Sequence, residues 1–376
     1  MRIMLAISSL GAGGAERVMT LLAGALAARD HEVWLVTLTK GTDDFFSVDA
    51  RVRRVGLGLT GDSPNMVRGL WANLRRLRAL RRTVSMVEPH AVLSFMTSMN
   101  VLMILACTRL PVRIIVSERV DPAAHTESRI WTDLRSLLYR GAHSVVVQTE
   151  SIAEWFRRRL GKRARVVVIP NPVAPWSGTD PGPRQGGSGQ SERFILAAGR
   201  LAHQKGFDLL IRAFAAAAAR TRQIQLVIAG EGPEGQSLRD LAAELGVAPQ
   251  VSFPGQVGDM RGLMKEAVAF ILPSRYEGFP NVLLEALAAG VPCVAADGPG
   301  GTREILGAGA YGLLVTPQDL RALTEAIDLI TTDAELRARY SRAGAAAVER
   351  YRLDRVVAEW ERLLEGRDAT FGAVGQ

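Results

Sequence analysis

Cysteine is nearly missing from this chain of 376 residues: Cys107 and Cys293 are the only two, both in apolar surroundings. That excludes a disulfide framework or a cysteine metal site and fits a reducing compartment. No Asp-x-Asp motif and no His, Asp and Glu cluster at ligand spacing occurs, so no metal and no other cofactor is expected. No apolar run approaches the ~18 residues of a membrane span. The opening run Met1–Ile7 is too short for a signal-peptide core with a cleavage site and reads as a first buried strand. The expected location is cytoplasmic, with membrane contact left open. Internal repeats are missing too. At 48% hydrophobic and 22% charged, general disorder is excluded.

The length suggests two domains, three at most. Charge divides them. Residues 1–175 hold 25 basic and 14 acidic residues, net +11, and the remainder 21 and 24, net −3, giving +8 overall. The first half therefore suits an anionic partner.

Apolar strands are expected at 2–8, 32–38, 91–95, 112–117, 144–148 and 166–169, with helical patterns between them. A stretch rich in Pro, Gly and Ser follows, from Pro175 to Gln190, with linker composition. The alternation then restarts, with strands at 194–198, 225–229, 251–253, 268–272 and 293–295. Such alternation means parallel sheets buried on both faces. The fold class is α/β, two doubly wound Rossmann-like domains facing across a cleft at their carboxyl-end loops. The expected division is 1–172, a linker 173–192, 193–352, a helix 353–365 packing back toward the first domain, and a tail 366–376.

The most informative stretch is Ser274–Glu285, where Glu277 and Glu285 stand eight positions apart around Gly278, Phe279, Pro280 and Asn281. Pro280 suits a helix start, where its missing N–H has no partner to lose. The helix after it is apolar on nearly every side and is expected to be buried, carrying Glu285 down with it. A buried carboxylate needs a polar partner, and a sugar hydroxyl qualifies. Glu277 lies beside free helix N–H groups that favour a phosphate. Together they describe a nucleotide-sugar site. The competing picture is a partly exposed Glu285 paired to an arginine.

Gly11-Ala12-Gly13-Gly14 follows the first strand and opens a helix, a place for an anion or for a plain tight turn. It is neither a dinucleotide fingerprint, since Glu16 stands where the third glycine belongs, nor a Walker loop. In the second half, Arg200 and Lys205 share one loop after a strand, and two cations there suit a diphosphate. Gly230, in Gly-Glu-Gly-Pro, and Gly255 lie on further loops of the same sheet edge.

Gly-Arg-x4-Lys-Gly at 199–206, Gly-Glu-Gly-Pro at 230–233, Glu-Gly-Phe-Pro-Asn-x3-Glu at 277–285 and Gly-Gly-Ala-Glu-Arg at 13–17 resemble the retaining GT-B glycosyltransferases of family 4. The likeness covers residues 1–365. It is strongest to bacterial enzymes that build lipid-linked glycans, O-antigen or capsule units. The resemblance implies an acceptor-binding first domain and a nucleotide-sugar-binding second one. It assigns Arg200 and Lys205 to the donor diphosphate, Glu277 to the donor sugar hydroxyls, Glu285 to the ribose, and the Gly278–Asn281 N–H groups to phosphate and sugar. Arg200, Lys205 and Glu277 are thus the expected catalytic set. Gly13, Gly14, Gly230, Gly255, Gly278, Phe279, Pro280, Asn281 and Glu285 are expected to line the donor. It also implies transfer with retention, from a UDP-sugar to a polyprenyl-diphosphate-linked saccharide or related envelope glycan.

Glu118, Arg119 and Asp121 follow a first-domain strand and are candidates for acceptor or donor-sugar contact. Some relatives carry His where Arg119 stands. Arg119 then faces the diphosphate or an acidic part of the acceptor, or pairs with Asp121 or Glu118.

The segment 68–82 places Leu70, Trp71, Leu74 and Leu77 on one helical stripe and Arg75, Arg76, Arg78, Arg81 and Arg82 on the other side. The leucines are expected to pack on the sheet. The arginines are expected to face anionic lipid or a polyprenyl diphosphate, on the inner face of the cell membrane. Nucleic acid is not expected, because no stacking platform accompanies the charge. Other readings are a sugar epimerase or phosphorylase on the same fold, the latter without a pyridoxal lysine site, and a catalytically silent nucleotide-sugar-binding subunit.

Overall fold

The computed structural model describes residues 1–61, 66–120, 129–173, 193–218 and 224–369. Asp121 and residues 174–192, most of the expected linker, lie outside them. The chain divides into two compact units, Met1–Pro172 with Leu353–Gln376, and Val173–Arg352.

The first unit is built on β1 (Arg2–Ile7), β2 (Glu32–Thr37), β3 (Arg53–Gly56), β4 (Ala91–Phe95), β5 (Arg113–Ser117), β6 (Ser144–Val147) and β7 (Val166–Val168). All pairs are parallel, in spatial order 3-2-1-4-5-6-7. Its connecting helices are α1 (Gly14–Ala27), α2 (Met66–Val87), α3 (Thr97–Cys107), α4 (Arg129–Leu138) and α5 (Glu150–Leu160). Side chains of a strand alternate between faces. Ile3, Leu5 and Ile7 pack on α1, while Met4 and Ala6 pack with Leu80, Val84 and Met103 of α2 and α3. Both faces are covered, which is why these strands are continuously apolar.

The second unit uses β8 (Arg193–Ala198), β9 (Ile224–Ala229), β10 (Val251–Gly255), β11 (Ala269–Leu272), β12 (Cys293–Ala296) and β13 (Leu313–Val315), again all parallel, in order 10-9-8-11-12-13. Its helices are α6 (Phe207–Ala218), α7 (Gly235–Glu244), α8 (Met260–Glu266), α9 (Asn281–Ala288), α10 (Thr302–Ile305), α11 (Leu320–Thr332) and α12 (Ala334–Val348).

The last helix, α13 (Leu353–Leu364), belongs to the first unit. It buries Val356, Val357, Trp360, Leu363 and Leu364 in that core. Glu361 accepts from Arg29 and from His31 Nε2, the latter at 2.9 Å, tying the helix to its own unit. In each sheet the strand order reverses once, between β1 and β4 and between β8 and β11. Loops leaving the carboxyl ends on either side of a reversal diverge and leave room for a ligand.

Candidate functional site

The loop after β8 carries Arg200 and Lys205; the loop after β11 carries Ser274 to Pro280. These strands are neighbours at the reversal, so residues 72 positions apart meet there. Lys205 Nζ donates to Glu277 Oε1 at 2.6 Å, and Ser274 Oγ donates to the same oxygen at 2.7 Å. Glu277 is buried, and Oε2 takes no bond from a described residue. One carboxylate oxygen is thus anchored and the other is left to accept from a hydroxyl.

The two loops are laced together around this pair. Arg275 forks onto Asp208 with both bonds at 2.8 Å and donates to the His203 carbonyl at 2.6 Å. The guanidinium holds the Asp208 carboxyl below its usual range. Arg275 N donates to the Gln204 carbonyl at 2.8 Å, and Gln204 Nε2 to the Tyr276 carbonyl at 3.0 Å. Ser274, Asp208, Arg275 and Gln204 were not singled out from sequence. Their partners lie on the opposite loop, except that Ser274 stands only three residues before Glu277.

Glycines allow this crowding. A Cβ on Gly300 (φ +116°) would lie 1.6 Å from the Glu277 carbonyl oxygen, and one on Gly230 (φ +133°) 2.0 Å from that of Gly199. Gly230 N donates to the Gly255 carbonyl at 2.7 Å, closing the loops after β9 and β10 onto one edge. The Gly278 carbonyl accepts from Gly301 N at 3.1 Å.

Arg200 is exposed on its loop. Pro280 caps α9 rather than opening its first turn, and Asn281 is the first helical residue. Phe279 packs inward, 7% exposed, edge-on to Tyr351 with centroids 5.8 Å apart, so its side chain anchors the loop. Glu285 is half-buried, which corrects the expectation of full burial. Asn281, Val282, Glu285, Ala288 and Ala289 form one less buried helical face, while Leu283, Leu284, Ala286 and Leu287 form the core face. Composition made the helix look apolar all round because small and branched side chains fill the open face.

In the first unit, Gly13 caps α1 and Gly14 begins it. A Cβ on Gly13 would meet the Glu16 carboxylate at 2.1 Å, so a carboxylate of the chain itself already lies against this helix start. Burial raises the Glu16 pKa. Glu118 is buried. Thr97 Oγ1 lies 3.0 Å from each of its oxygens and Tyr139 donates to one of them. Its carboxylate is therefore bonded inside the unit. Arg119 is buried on the Phe95 ring and bonds Asn171. Asp121 lies outside the described residues.

On α2, Leu77 and Leu80 pack inward, but Leu70 and Trp71 are 72% and 64% exposed, which corrects the expectation that the leucine stripe packs throughout. The sheet's hydrophobic face is covered by the C-terminal turns of α2, and its first turns extend past it. Arg75, Arg78 and Arg82 are exposed beside them. Arg76 and Arg81 are spent locally. Arg76 donates to the Leu59 and Gly61 carbonyls, and Arg81 to the carbonyls of Ala106 and Thr108 at the end of α3. Ile130 and Leu137 of α4 are also exposed, and α4 packs on α3, which packs on α2. Among the described residues no helix is long and apolar enough to cross a membrane.

Residues 13–172 match the family model described as "Glycosyl transferase 4-like domain", and residues 181–347 the model "Glycosyl transferases group 1". An exopolysaccharide phosphotransferase of Streptomyces coelicolor is 32% identical over 93% of this chain, which spans only 39% of that relative's length. A Campylobacter jejuni α-1,4-N-acetyl-D-galactosaminyltransferase, named for an undecaprenyl-diphosphate-linked acceptor, is 26% identical over 97% of this chain and 98% of its own. Among solved structures, sucrose-phosphate synthase of Thermosynechococcus elongatus superimposes with a TM-score of 0.81 at 20% identity, covering 97% of this chain and 99% of its own. HepE of Anabaena, solved with UDP-glucose, superimposes with a TM-score of 0.76 at 19% identity, covering 97% and 100%. At such identities the likeness concerns the fold.

Proposed function

The chain belongs to the GT-B glycosyltransferases, a glycosyl transferase 4-like domain followed by a group 1 domain, and from that membership we propose that it moves a sugar, with retention, from a UDP-sugar to a polyprenyl-diphosphate-linked saccharide or related envelope glycan. The observation that carries this is the Lys205–Glu277 pair at the strand reversal of the second sheet. Glu277 Oε2 accepts from a donor-sugar hydroxyl. Lys205, shared between Glu277 and the ligand, and Arg200 on the same loop meet the diphosphate. Glu285, on the open face of α9, takes the ribose hydroxyls. The backbone from Gly278 to Asn281 leads into the α9 N-terminus, where N–H groups favour phosphate.

In the transfer itself the bond from the anomeric carbon to the diphosphate oxygen breaks as the acceptor oxygen bonds the same face of that carbon. The acceptor proton passes to the departing phosphate oxygen. Charge growing on the diphosphate is met by Lys205, Arg200 and helix N–H groups, without a metal. The first unit binds the acceptor, and its 28 basic and 19 acidic residues, net +9, suit a diphosphate-bearing one.

The exposed arginines and apolar side chains of α2 rest on an anionic lipid surface, where a lipid-linked acceptor is found. The test is product mass spectrometry after incubation with a panel of nucleotide-sugars and a membrane lipid extract. Glycosylated lipid that forms only with a UDP-sugar supports the reading. No product with any nucleotide-sugar overturns it.

A further inference from the structure

Arg119 stands two residues beyond the carboxyl end of β5 and is 6% exposed. Its guanidinium carbon lies 3.6 Å from the centroid of Phe95, the last residue of β4, and 5.5 Å from that of Trp360 on α13. Nη1 donates to Asn171 Oδ1 at 2.6 Å. Nε and Nη2 are buried and have no partner among the described residues. These two nitrogens form the side-on edge of the guanidinium, whose parallel N–H bonds match two oxygens of one oxyanion. A buried cation lacking its counter-charge is strongly unfavourable. Burial alone pulls the Arg119 pKa down to about 9.

Aromatic stacking offsets only part of that cost, and a methionine would fill the same space without it. Phe95 ends β4, and Arg119 and Asn171 lie past the carboxyl ends of β5 and β7, the edge on which doubly wound sheets bind ligands. We infer that Arg119 is an oxyanion receptor of the first unit, its Nε–Nη2 edge holding two oxygens of a phosphate or carboxylate carried by the acceptor substrate. Only the word acceptor rests on the sugar-transfer proposal; the receptor itself does not.

The test uses the full chain with the second unit's cations removed, Arg200→Ala with Lys205→Ala, so that anions held there do not contribute. Inorganic pyrophosphate and glucuronate are each titrated in by calorimetry. One of them is expected to bind, and which one does identifies the oxyanion. Arg119→Lys keeps the charge and the stem but loses the fork, and is expected to weaken binding at least tenfold. Arg119→Met is expected to abolish it while the melting temperature holds or rises, since an uncompensated charge has gone.

Three results overturn the inference. They are binding of neither anion when Arg119 is intact, unchanged binding in both Arg119 variants, and a drop of several degrees in the melting temperature of Arg119→Met. Absence of turnover with every nucleotide-sugar would sink the sugar-transfer proposal and leave the receptor standing.

Discussion

Replacing Lys205 by Ala removes a cation that lies 2.6 Å from Glu277 Oε1, with the two side chains only 17% and 8% exposed. At an effective dielectric of about 20 the gross attraction is ~6 kcal/mol. Desolvation cancels much of it, but deleting one partner leaves the other charge buried and alone, which costs about 3–5 kcal/mol. The residual exposure of Lys205 places this pair near the lower figure. For a unit of this size that corresponds to a fall in melting temperature of roughly 6–12 °C.

Turnover is expected to fall by about 10²–10³, the loss seen when one group opposing developing charge is removed. The double variant Lys205→Met with Glu277→Gln has no buried charge left. It is expected to recover part of the lost stability, as coupled neighbours do, yet remain inactive. Thermal unfolding and turnover at saturating donor, measured side by side on the parent and these two variants, separate the pair's structural from its chemical role. Turnover within threefold of the parent in Lys205→Ala would refute the assignment.

Three further outcomes are expected. Gly300→Ala forces a methyl group into the Glu277 carbonyl at a φ of +116°. It should lower both the melting temperature and donor binding, while a variant that binds UDP normally would count against the loop's rigidity. Chelation with EDTA should leave turnover unchanged, and a strict Mg²⁺ requirement would contradict diphosphate stabilisation by Lys205 and Arg200. Replacing Arg75, Arg78 and Arg82 by Gln should cut binding to anionic vesicles by roughly 10²-fold, at ~1 kcal/mol per arginine near the surface. Equal flotation of the parent protein with neutral and anionic vesicles would remove the membrane proposal.

Most of both sheets was legible as apolar runs, because a strand covered on two faces must be apolar throughout. The two strands not foreseen are β3 and β13. Both are sheet edges, one four residues long with two arginines, the other three residues long. Neither offers a run long enough to stand out. The site was legible as a set of residue types on one sheet edge. Its bonds were not, since Arg275–Asp208 and Lys205–Glu277 join segments far apart in the chain.

By itself, the order of residues determined that this chain makes two parallel α/β units, and that cations and carboxylates follow their strands. Periodicity and local spacing carry that information. Only the tertiary structure decided that β8 lies beside β11, which brings Lys205 onto Glu277. It alone decided that Arg119 is buried with one edge unpartnered, and that Leu70 and Trp71 stand in solvent. Each of these depends on which distant segment covers a side chain, and coverage is a property of packing rather than of sequence neighbours.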